Sequence, residues 1–246
     1  MRAFLLAPAV AFRFLTILPV GPRSSDVVGV FPRSVGFFPL AGCAIGLGAA
    51  LADFLLRPGL GAPVASVLVV AVLALLSGGL HLDGLADTMD GLFGSATRVE
   101  RLAIMRGGGI GAFAAVALGL VLLLEWTALA WSGAAIPALI AATTVSRWAM
   151  SVALWAFPVA RAEGLGHAFK VGLGPGDVLL ATAVAATVLW FLQGPSGLVL
   201  FLPAAGLTAG IGALAIARLG GLAGDVYGAI GEVVLAATLV LHASLR

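Results

Sequence analysis

The chain is short of charge. Of its 246 residues, 10% are Asp, Glu, Lys or Arg and 61% are hydrophobic, and the mean hydropathy is +1.16. An ordinary soluble domain is about 25% charged, so this composition excludes that class and indicates an integral membrane protein in contact with the lipid bilayer. The net charge of +2 comes without a basic cluster, which argues against nucleic acid as a partner.

Cysteine is almost absent as well. Cys43 is the single cysteine, which excludes an internal disulfide and a thiolate metal site, and we expect it to be a small packing residue on a helix. A cleavable signal peptide is not expected either. Arg13 interrupts the apolar start, and no long polar region follows.

Long apolar runs dominate the rest of the chain and predict an all-α fold. We expect one membrane-embedded domain over residues 1–246, a helix bundle of about seven transmembrane helices. The stretch from Phe4 to Val20 is broken by prolines and predicts an additional N-terminal helix that is interfacial or re-entrant. Many small-residue faces, such as Gly42-x-x-x-Gly46, predict close helix packing and allow self-association into a homo-oligomer. The predicted spans are Val35–Leu56, Val64–Leu80, Ile110–Trp131, Ala134–Phe157, Asp177–Phe191, Gly197–Ala217 and Asp225–Leu241.

The distribution of basic residues predicts the orientation. With a cytoplasmic N-terminus, the side opposite the cytoplasm carries only Arg57 and Arg246, as the positive-inside rule requires. This orientation brings Arg161, Glu163 and Asp225 to the cytoplasmic side. The cytoplasmic basic residues are Arg2, Arg13, Arg23, Arg33, Arg98, Arg101, Arg106, Arg161, Lys170 and Arg218, of which Arg23 lies in a polar connection with Ser24, Ser25 and Asp26.

The same orientation places an acidic stretch, residues 78–91, at the cytoplasmic edge. Asp83, Asp87 and Asp90 stand there at i, i+4 and i+7, which on a helix is a sector of roughly 60°. Three carboxylates so close together require a cation, and oxygen ligands of this kind suit Mg²⁺ or Mn²⁺ shared with a substrate phosphate. The alternative is a solvated acidic helix start, where Asp is favoured by the helix dipole.

Two further acids are candidates for the same site. Asp225 and Glu232 are seven residues apart and share a helix face, so we expect them to join the three aspartates at the cytoplasmic boundary. Asp225 is then a fourth metal ligand, and either Glu232 or one of the aspartates is a candidate general base. The alternative for Asp225 is a helix cap.

Arg147, His81 and a glycine run complete the candidates. Arg147, next to Ser146, is a candidate phosphate clamp or else a member of a buried ion pair. On a continuous helix His81 points away from the acidic face, although it is a ligand-binding candidate if a helix starts at Leu82. The glycines at 107–109 offer backbone N–H groups to a phosphate, but they lack the lysine of a P-loop.

Several motifs together resemble the cobalamin synthase family, the adenosylcobinamide-GDP ribazoletransferases, over almost the whole chain. The acidic stretch is the most specific of them. The motifs are Phe12-Arg13-Phe14-Leu15-Thr16-Ile17-Leu18-Pro19-Val20, Phe38-Pro39-Leu40, Gly78-Gly79-Leu80-His81-Leu82-Asp83-Gly84-Leu85-Ala86-Asp87-Thr88-Met89-Asp90-Gly91, Ile104-Met105-Arg106, Ser146-Arg147, Glu163-Gly164-Leu165-Gly166 and Gly224-Asp225.

The resemblance implies a Mg²⁺-dependent, multi-pass enzyme of the bacterial inner membrane. Its partners are adenosylcobinamide-GDP and α-ribazole or α-ribazole 5′-phosphate, and its products are adenosylcobalamin or its 5′-phosphate and GMP. Asp83, Asp87 and Asp90 then hold the metal and the diphosphate, while Arg106 or Arg147 takes up the charge that develops. In the family an acidic residue and an arginine usually follow the Ile-Met-Arg motif. Here glycines 107–109 replace them.

Two other functions fit parts of the pattern. CDP-alcohol phosphotransferases also group aspartates in membrane helices, but they have Ala-Arg after the first pair, where this chain has Ala86-Asp87. A cation-coupled transporter would scatter its acids at mid-span across several helices, whereas here they are predicted at one edge.

Overall fold

The computed structural model describes residues 2–21, 28–132 and 135–244. Three sequence-based expectations lie outside these residues: the polar connection around Arg23–Asp26, the predicted start of a span at Ala134, and the position of Arg246.

Within the described ranges the protein is helical, apart from one isolated parallel bridge between Val159 and Leu222. This confirms the predicted all-α class. The α-helices are α1 (Arg2–Leu15), α2 (Phe31–Ser34), α3 (Phe38–Leu76), α4 (Leu80–Phe93), α5 (Arg98–Ile104), α6 (Ala112–Ala130), α7 (Ala135–Ala156), α8 (Leu165–Lys170), α9 (Pro175–Gln193), α10 (Phe201–Leu219) and α11 (Gly224–Ser244).

Five helical stretches among the described residues are long and apolar enough to cross a membrane: Phe31–Leu76, Ala112–Ala130, Ala135–Ala156, Pro175–Leu219 and Gly224–Ser244. The predicted number of about seven is therefore not matched helix for helix. The first and fourth stretches, of 46 and 45 residues, each combine two of the predicted spans. The structure is thus that of a multi-pass membrane protein.

The first long stretch folds back on itself within α3. Gly61 interrupts the helix with φ 72° and ψ 161°. A Cβ placed on Gly48 would lie 2.9 Å from Cδ1 of Leu76, so the two halves of α3 pack side by side. The second half ends at Leu76 and not at the predicted Leu80. Gly78 and Gly79 have φ values of 64° and 70°, which end the helix.

Helix α7 lies at the centre of the bundle and packs against α3, α9, α10 and α11. Its sequence is rich in Ala, Ser and Thr, and small residues let helices approach closely in membranes. The predicted Gly42-x-x-x-Gly46 motif of α3 packs on this helix, where a Cβ on either glycine would collide with Thr143. The packing role expected for the motif is confirmed.

The N-terminal helix α1 is 14 residues long, shorter than a span, and contains Pro8. Its Ala7, Val10, Ala11 and Leu15 are buried in the core next to α2 and the start of α3. A separate short N-terminal helix is therefore confirmed. Its placement at the interface and the self-association of the protein stay predictions.

Candidate functional site

The acidic stretch forms α4, which packs directly on the first turns of α11. Glycine allows this approach, because a Cβ on Gly84 would lie 2.7 Å from the backbone oxygen of Asp225. A Cβ on Gly228 would lie 3.3 Å from Cα of His81, so the backbones of α4 and α11 approach closely at two positions along the helices. Asp83 and Asp225 consequently meet at one end of the bundle, as the sequence predicted for these two residues.

Asp83 and Asp225 both line a cavity of about 270 Å³ between α4, α7, α11 and the segment 158–174. The mouth is charged: Asp83 and Glu163 are exposed, and Asp225 and Arg161 are half-buried. The inner walls are apolar and buried, and comprise Phe38, Met150, Leu154, Phe169 and Leu222. The cavity therefore combines a polar entrance with an apolar interior.

The carboxylates at this end of α4 repel one another. Partial burial raises the pKa of Asp87 to about 6, and the charges of Asp225, Asp83 and Asp90 add to the effect. Across the mouth, burial and then Arg106 lower the pKa of Arg161, whereas Asp225 opposes that change. Asp83, Asp90 and Asp225 are therefore close enough to Asp87 for their charges to interact, and a bound cation would relieve the repulsion. The metal site itself stays a prediction.

Asp90, the third aspartate of the predicted trio, is used differently. Its carboxylate oxygens accept hydrogen bonds from the backbone N–H groups of Gly111 at 2.5 Å and Ala114 at 2.9 Å. These groups belong to the start of α6, so Asp90 caps that helix although it lies 21 residues earlier in the chain. Its predicted role as a metal ligand stays a prediction, and the geometry favours a structural role.

The cap also bears on the glycine run. Gly107 and Gly109 lie beside Asp90 and the start of α6, in a shallow pocket outside the main cavity. Since a carboxylate already occupies that helix start, the expected binding of a phosphate there is not supported. Gly108 has φ 64°, a backbone conformation that favours glycine.

His81 follows the first residue of α4 and is 1% exposed. Its Nδ1 lies 3.2 Å from Nη2 of Arg147, and burial together with that guanidinium holds the pKa of His81 well below its usual value. The helix begins at Leu80 and not at Leu82, which was the condition under which we expected His81 to meet a ligand. The side chain nevertheless lines the same cavity as Asp83.

Arg147 does not line that cavity, contrary to its predicted role as a phosphate clamp. The guanidinium is 2% exposed and donates to Oγ of Ser146 at 3.1 Å as well as to His81. Ser146 in turn donates to the backbone oxygen of Gly231 at 2.8 Å, so Arg147 links α4, α7 and α11. The alternative weighed from the sequence was a buried ion pair. Among the described residues Arg147 is buried and interacts electrostatically with two carboxylates, but it forms no ion pair within 4.0 Å with either of them.

Glu232 is one of those carboxylates, and Glu125 of α6 is the other. Both lie with Arg147 around a separate interior cavity of about 10 Å³ and interact electrostatically with the guanidinium. The expected convergence of Glu232 with the four aspartates is therefore not observed. Glu125 was not singled out from the sequence. Its place near the far end of an apolar span was the available signal.

Other polar groups of the main cavity were also missed. Tyr227, the only tyrosine of the chain, lines it two residues after Asp225. The Tyr227 hydroxyl, Nε2 of His81 and Nε of Arg161 are buried and have no hydrogen-bond partner within the described part of the chain. Buried polar groups normally have partners, so three orphaned groups around one cavity indicate a ligand.

Arg106 is placed outside the cavity wall. Its side chain is exposed, while its backbone N–H donates to the oxygen of Ala103 at 3.0 Å. It lies close enough to Arg161 for the two charges to interact. The predicted contact of Arg106 with a phosphate stays a prediction, and its guanidinium is accessible for one.

The donors at the mouth fit a hard divalent cation. Within the described residues, no three His, Cys, Asp or Glu side chains are already placed to hold a metal ion. Mg²⁺, however, is usually bound by one or two carboxylates together with water and substrate phosphates. Asp83 and Asp225 on the cavity, with Asp87 behind them, provide that kind of donor set.

A helical multi-pass membrane protein with an acidic, ligand-sized cavity at one end of its bundle is the class that this fold and site define. A sequence model of the family described as cobalamin-5-phosphate synthase matches residues 7–243. The chain belongs to that family, as the resemblance in the sequence indicated.

Individual relatives agree with the family model. The protein of Roseiflexus sp. (strain RS-1) is 39% identical over 249 residues, covering 96% of this chain and 90% of the relative. Those of Bradyrhizobium diazoefficiens and Klebsiella pneumoniae (strain 342) are each 40% identical, covering 92% and 89% of this chain and 90% and 92% of the relatives. All three are described as adenosylcobinamide-GDP ribazoletransferases. No solved structure matches the chain significantly.

Proposed function

We propose that this protein is an adenosylcobinamide-GDP ribazoletransferase of cobalamin biosynthesis. It transfers the phosphoryl-cobinamide group of adenosylcobinamide-GDP to α-ribazole or α-ribazole 5′-phosphate and releases GMP. The observation that carries the proposal is the meeting of Asp83 and Asp225 on one ligand-sized cavity, in a chain that belongs to the cobalamin-5-phosphate synthase family. A cluster of carboxylates at a cavity mouth suits a reaction at a diphosphate.

Mg²⁺ is the cation that we assign to this mouth, held by Asp83 and Asp225 with support from Asp87. When bound there, it would supply positive charge for the diphosphate and for the GMP that leaves. The arginines Arg161 and Arg106 lie on the same side and supply positive charge to the phosphate oxygens.

The protein's own groups then position and deprotonate the acceptor. A hydroxyl of the ribazole attacks the cobinamide-side phosphorus, a new P–O bond forms, and the bond to the GMP oxygen breaks. One carboxylate of the mouth accepts the hydroxyl proton. Glu232 is too far inside the bundle for this role, because it lines the separate interior cavity. Arg147 acts indirectly by holding His81.

We further propose that the protein lies in the bacterial inner membrane with this cavity on the cytoplasmic side. Five basic residues lie near that end of the bundle and donate hydrogen bonds to backbone oxygens of helices and connections there: Arg98, Arg101, Arg161, Lys170 and Arg218. The opposite end carries the ion pair of Arg57 with Asp53. This distribution supports the orientation, since cytoplasmic loops are enriched in basic residues.

The test is transfer by the purified protein in lipid nanodiscs, with adenosylcobinamide-GDP, α-ribazole and Mg²⁺. We expect GMP and cobalamin in equal amounts, and loss of both when EDTA removes the metal. Asp83→Asn and Asp225→Asn should lower the rate at least about 100-fold, as losses of charge-stabilising groups do.

Glu100→Gln is the matched control, because it removes one carboxylate from an exposed position outside the cavity. It should transfer at the wild-type rate. Wild-type rates in folded Asp83→Asn and Asp225→Asn proteins would refute the assignment of the site, and absence of GMP release from wild-type protein would refute the function.

A further inference from the structure

The interior of the main cavity has a chemistry distinct from its charged mouth. Three phenylalanine rings pack together at its inner wall: the ring centroids of Phe14 and Phe169 are 4.6 Å apart, and those of Phe38 and Phe169 are 5.5 Å apart. Such a wall favours a flat apolar ring and disfavours a charged or strongly hydrated group.

Two polar groups interrupt that apolar interior. His81 and Tyr227 are 1% and 4% exposed, and Nε2 of His81 and the Tyr227 hydroxyl have no hydrogen-bond partner within the described part of the chain. Both side chains line the cavity. An unpartnered buried polar group is unfavourable, so a ligand that pairs with it gains binding energy.

The hydrogen bond to Arg147 determines what His81 offers to a ligand. A guanidinium can only donate, so Nδ1 of His81 accepts from Nη2 of Arg147 at 3.2 Å. In the neutral ring the proton is then on Nε2. The free nitrogen of His81 is therefore a donor, and it requires an acceptor atom on the ligand.

We propose that this interior binds the benzimidazole base of α-ribazole, with the unsubstituted ring nitrogen accepting the hydrogen bond from Nε2 of His81. The proposal rests on the proposed function. A dimethylated benzimidazole is flat and apolar except for that one acceptor nitrogen, which matches the phenylalanine wall and the donor nitrogen of His81. Its ribose then extends toward Asp83 and Asp225, where a hydroxyl meets the diphosphate.

The other substrate fits this interior less well. The corrinoid ring is several times larger than a nucleoside and cannot enter a cavity of about 270 Å³. The guanine of the GDP group is small enough, but its several donors and acceptors would be left unpaired against phenylalanine walls. We therefore assign the acceptor nucleoside, and not the corrinoid or the guanine, to this interior.

The test is binding of two nucleosides to the whole protein in nanodiscs, measured by equilibrium dialysis. One is α-ribazole and the other is its indole analogue, in which C–H replaces the acceptor nitrogen. Wild-type protein should bind α-ribazole at least roughly 10-fold more tightly than it binds the indole analogue. His81→Leu should remove that difference, and His81→Gln, which keeps a donor, should retain part of it. Glu100→Gln should bind like the wild type.

The outcomes separate this inference from the proposed function. Equal binding of both nucleosides by wild-type protein overturns the inference without any variant having to fold. The inference is also overturned if the difference in affinity between the two nucleosides is lost in Tyr227→Phe but kept in His81→Leu. Competitive displacement of α-ribazole by GDP alone overturns it as well. GMP release is measured separately, so an active protein without nucleoside discrimination refutes only the inference.

Discussion

Replacing Asp90 by alanine tests whether the third aspartate of α4 is a structural residue. In the structure Asp90 is 6% exposed, and its two oxygens accept from Gly111 N at 2.5 Å and Ala114 N at 2.9 Å. The change removes both hydrogen bonds and the negative charge at the start of α6. The first turn of that helix would then be left without these acceptors.

The expected loss follows from two contributions. A side-chain cap contributes about 1 kcal/mol, and a buried negative charge at a helix N-terminus contributes up to about 2 kcal/mol. Asp90→Ala should therefore destabilise the protein by about 2–3 kcal/mol. For a chain of this size that lowers Tm by about 5–10 °C. Asp90→Asn keeps an acceptor oxygen and should lose about half as much.

The assay is thermal unfolding of each purified variant in the same detergent. Asp87→Asn is the control on the same helix, because Asp87 has three carboxylate neighbours and removing its charge relieves repulsion. That variant should unfold at or slightly above the wild-type temperature. If Asp90→Ala unfolds within about 1 °C of the wild type, and instead loses Mg²⁺ binding, the capping argument is wrong and Asp90 is a metal ligand.

Three further changes test the packing and charge of the bundle. Gly84→Ala should separate α4 from α11, because the new Cβ meets the backbone oxygen of Asp225 at 2.7 Å. The rate of transfer should fall at least about tenfold, which the kcat and KM of the purified variant will show. Arg147→Leu should destabilise the protein by about 3 kcal/mol, and Arg147→Leu with Glu232→Leu by less, as chemical unfolding can show. Lys170→Met should lower Tm by about 2–5 °C, because Lys170 donates to three backbone oxygens at the end of α7.

Apolar periodicity and composition were sufficient to predict the fold class, because a helix is the structure that satisfies its own backbone within lipid. The spans in the first half of the chain show how far that argument reaches. Val35–Leu56 and Val64–Leu80 were predicted as separate helices, and in the structure the reversal at Gly61 divides α3 into two helical halves, the second of which ends at Leu76. Hydropathy locates an apolar run, but whether a turn breaks the hydrogen-bond ladder depends on one or two glycine conformations.

Part of the site could be predicted from the sequence. Whether an acidic residue could be placed depended on whether its position follows from helical spacing or from contacts between helices. Asp83 and Asp87 share a face of one helix, and helical spacing alone reveals that relation. Asp225 joins them because Gly84 allows contact with α11, and the sequence shows only that a glycine is present. Asp90 has the same helical spacing as Asp83 and Asp87, but its carboxylate caps the start of α6. That contact depends on where α6 begins, which the spacing does not show.

The interior charges show why one-dimensional spacing fails for Glu232. It shares a helix face with Asp225, yet seven residues along a helix are about 10 Å, enough to move it from the cavity mouth to the centre of the bundle. There it meets Glu125 and Arg147, which arrive from helices far apart in sequence. Arg147 interacts electrostatically with these carboxylates and donates from Nη2 to Nδ1 of His81. One buried arginine therefore connects the acids of the membrane interior to the residue that we assign to base recognition. Removing Glu125 or Glu232 would act on the cavity only through Arg147.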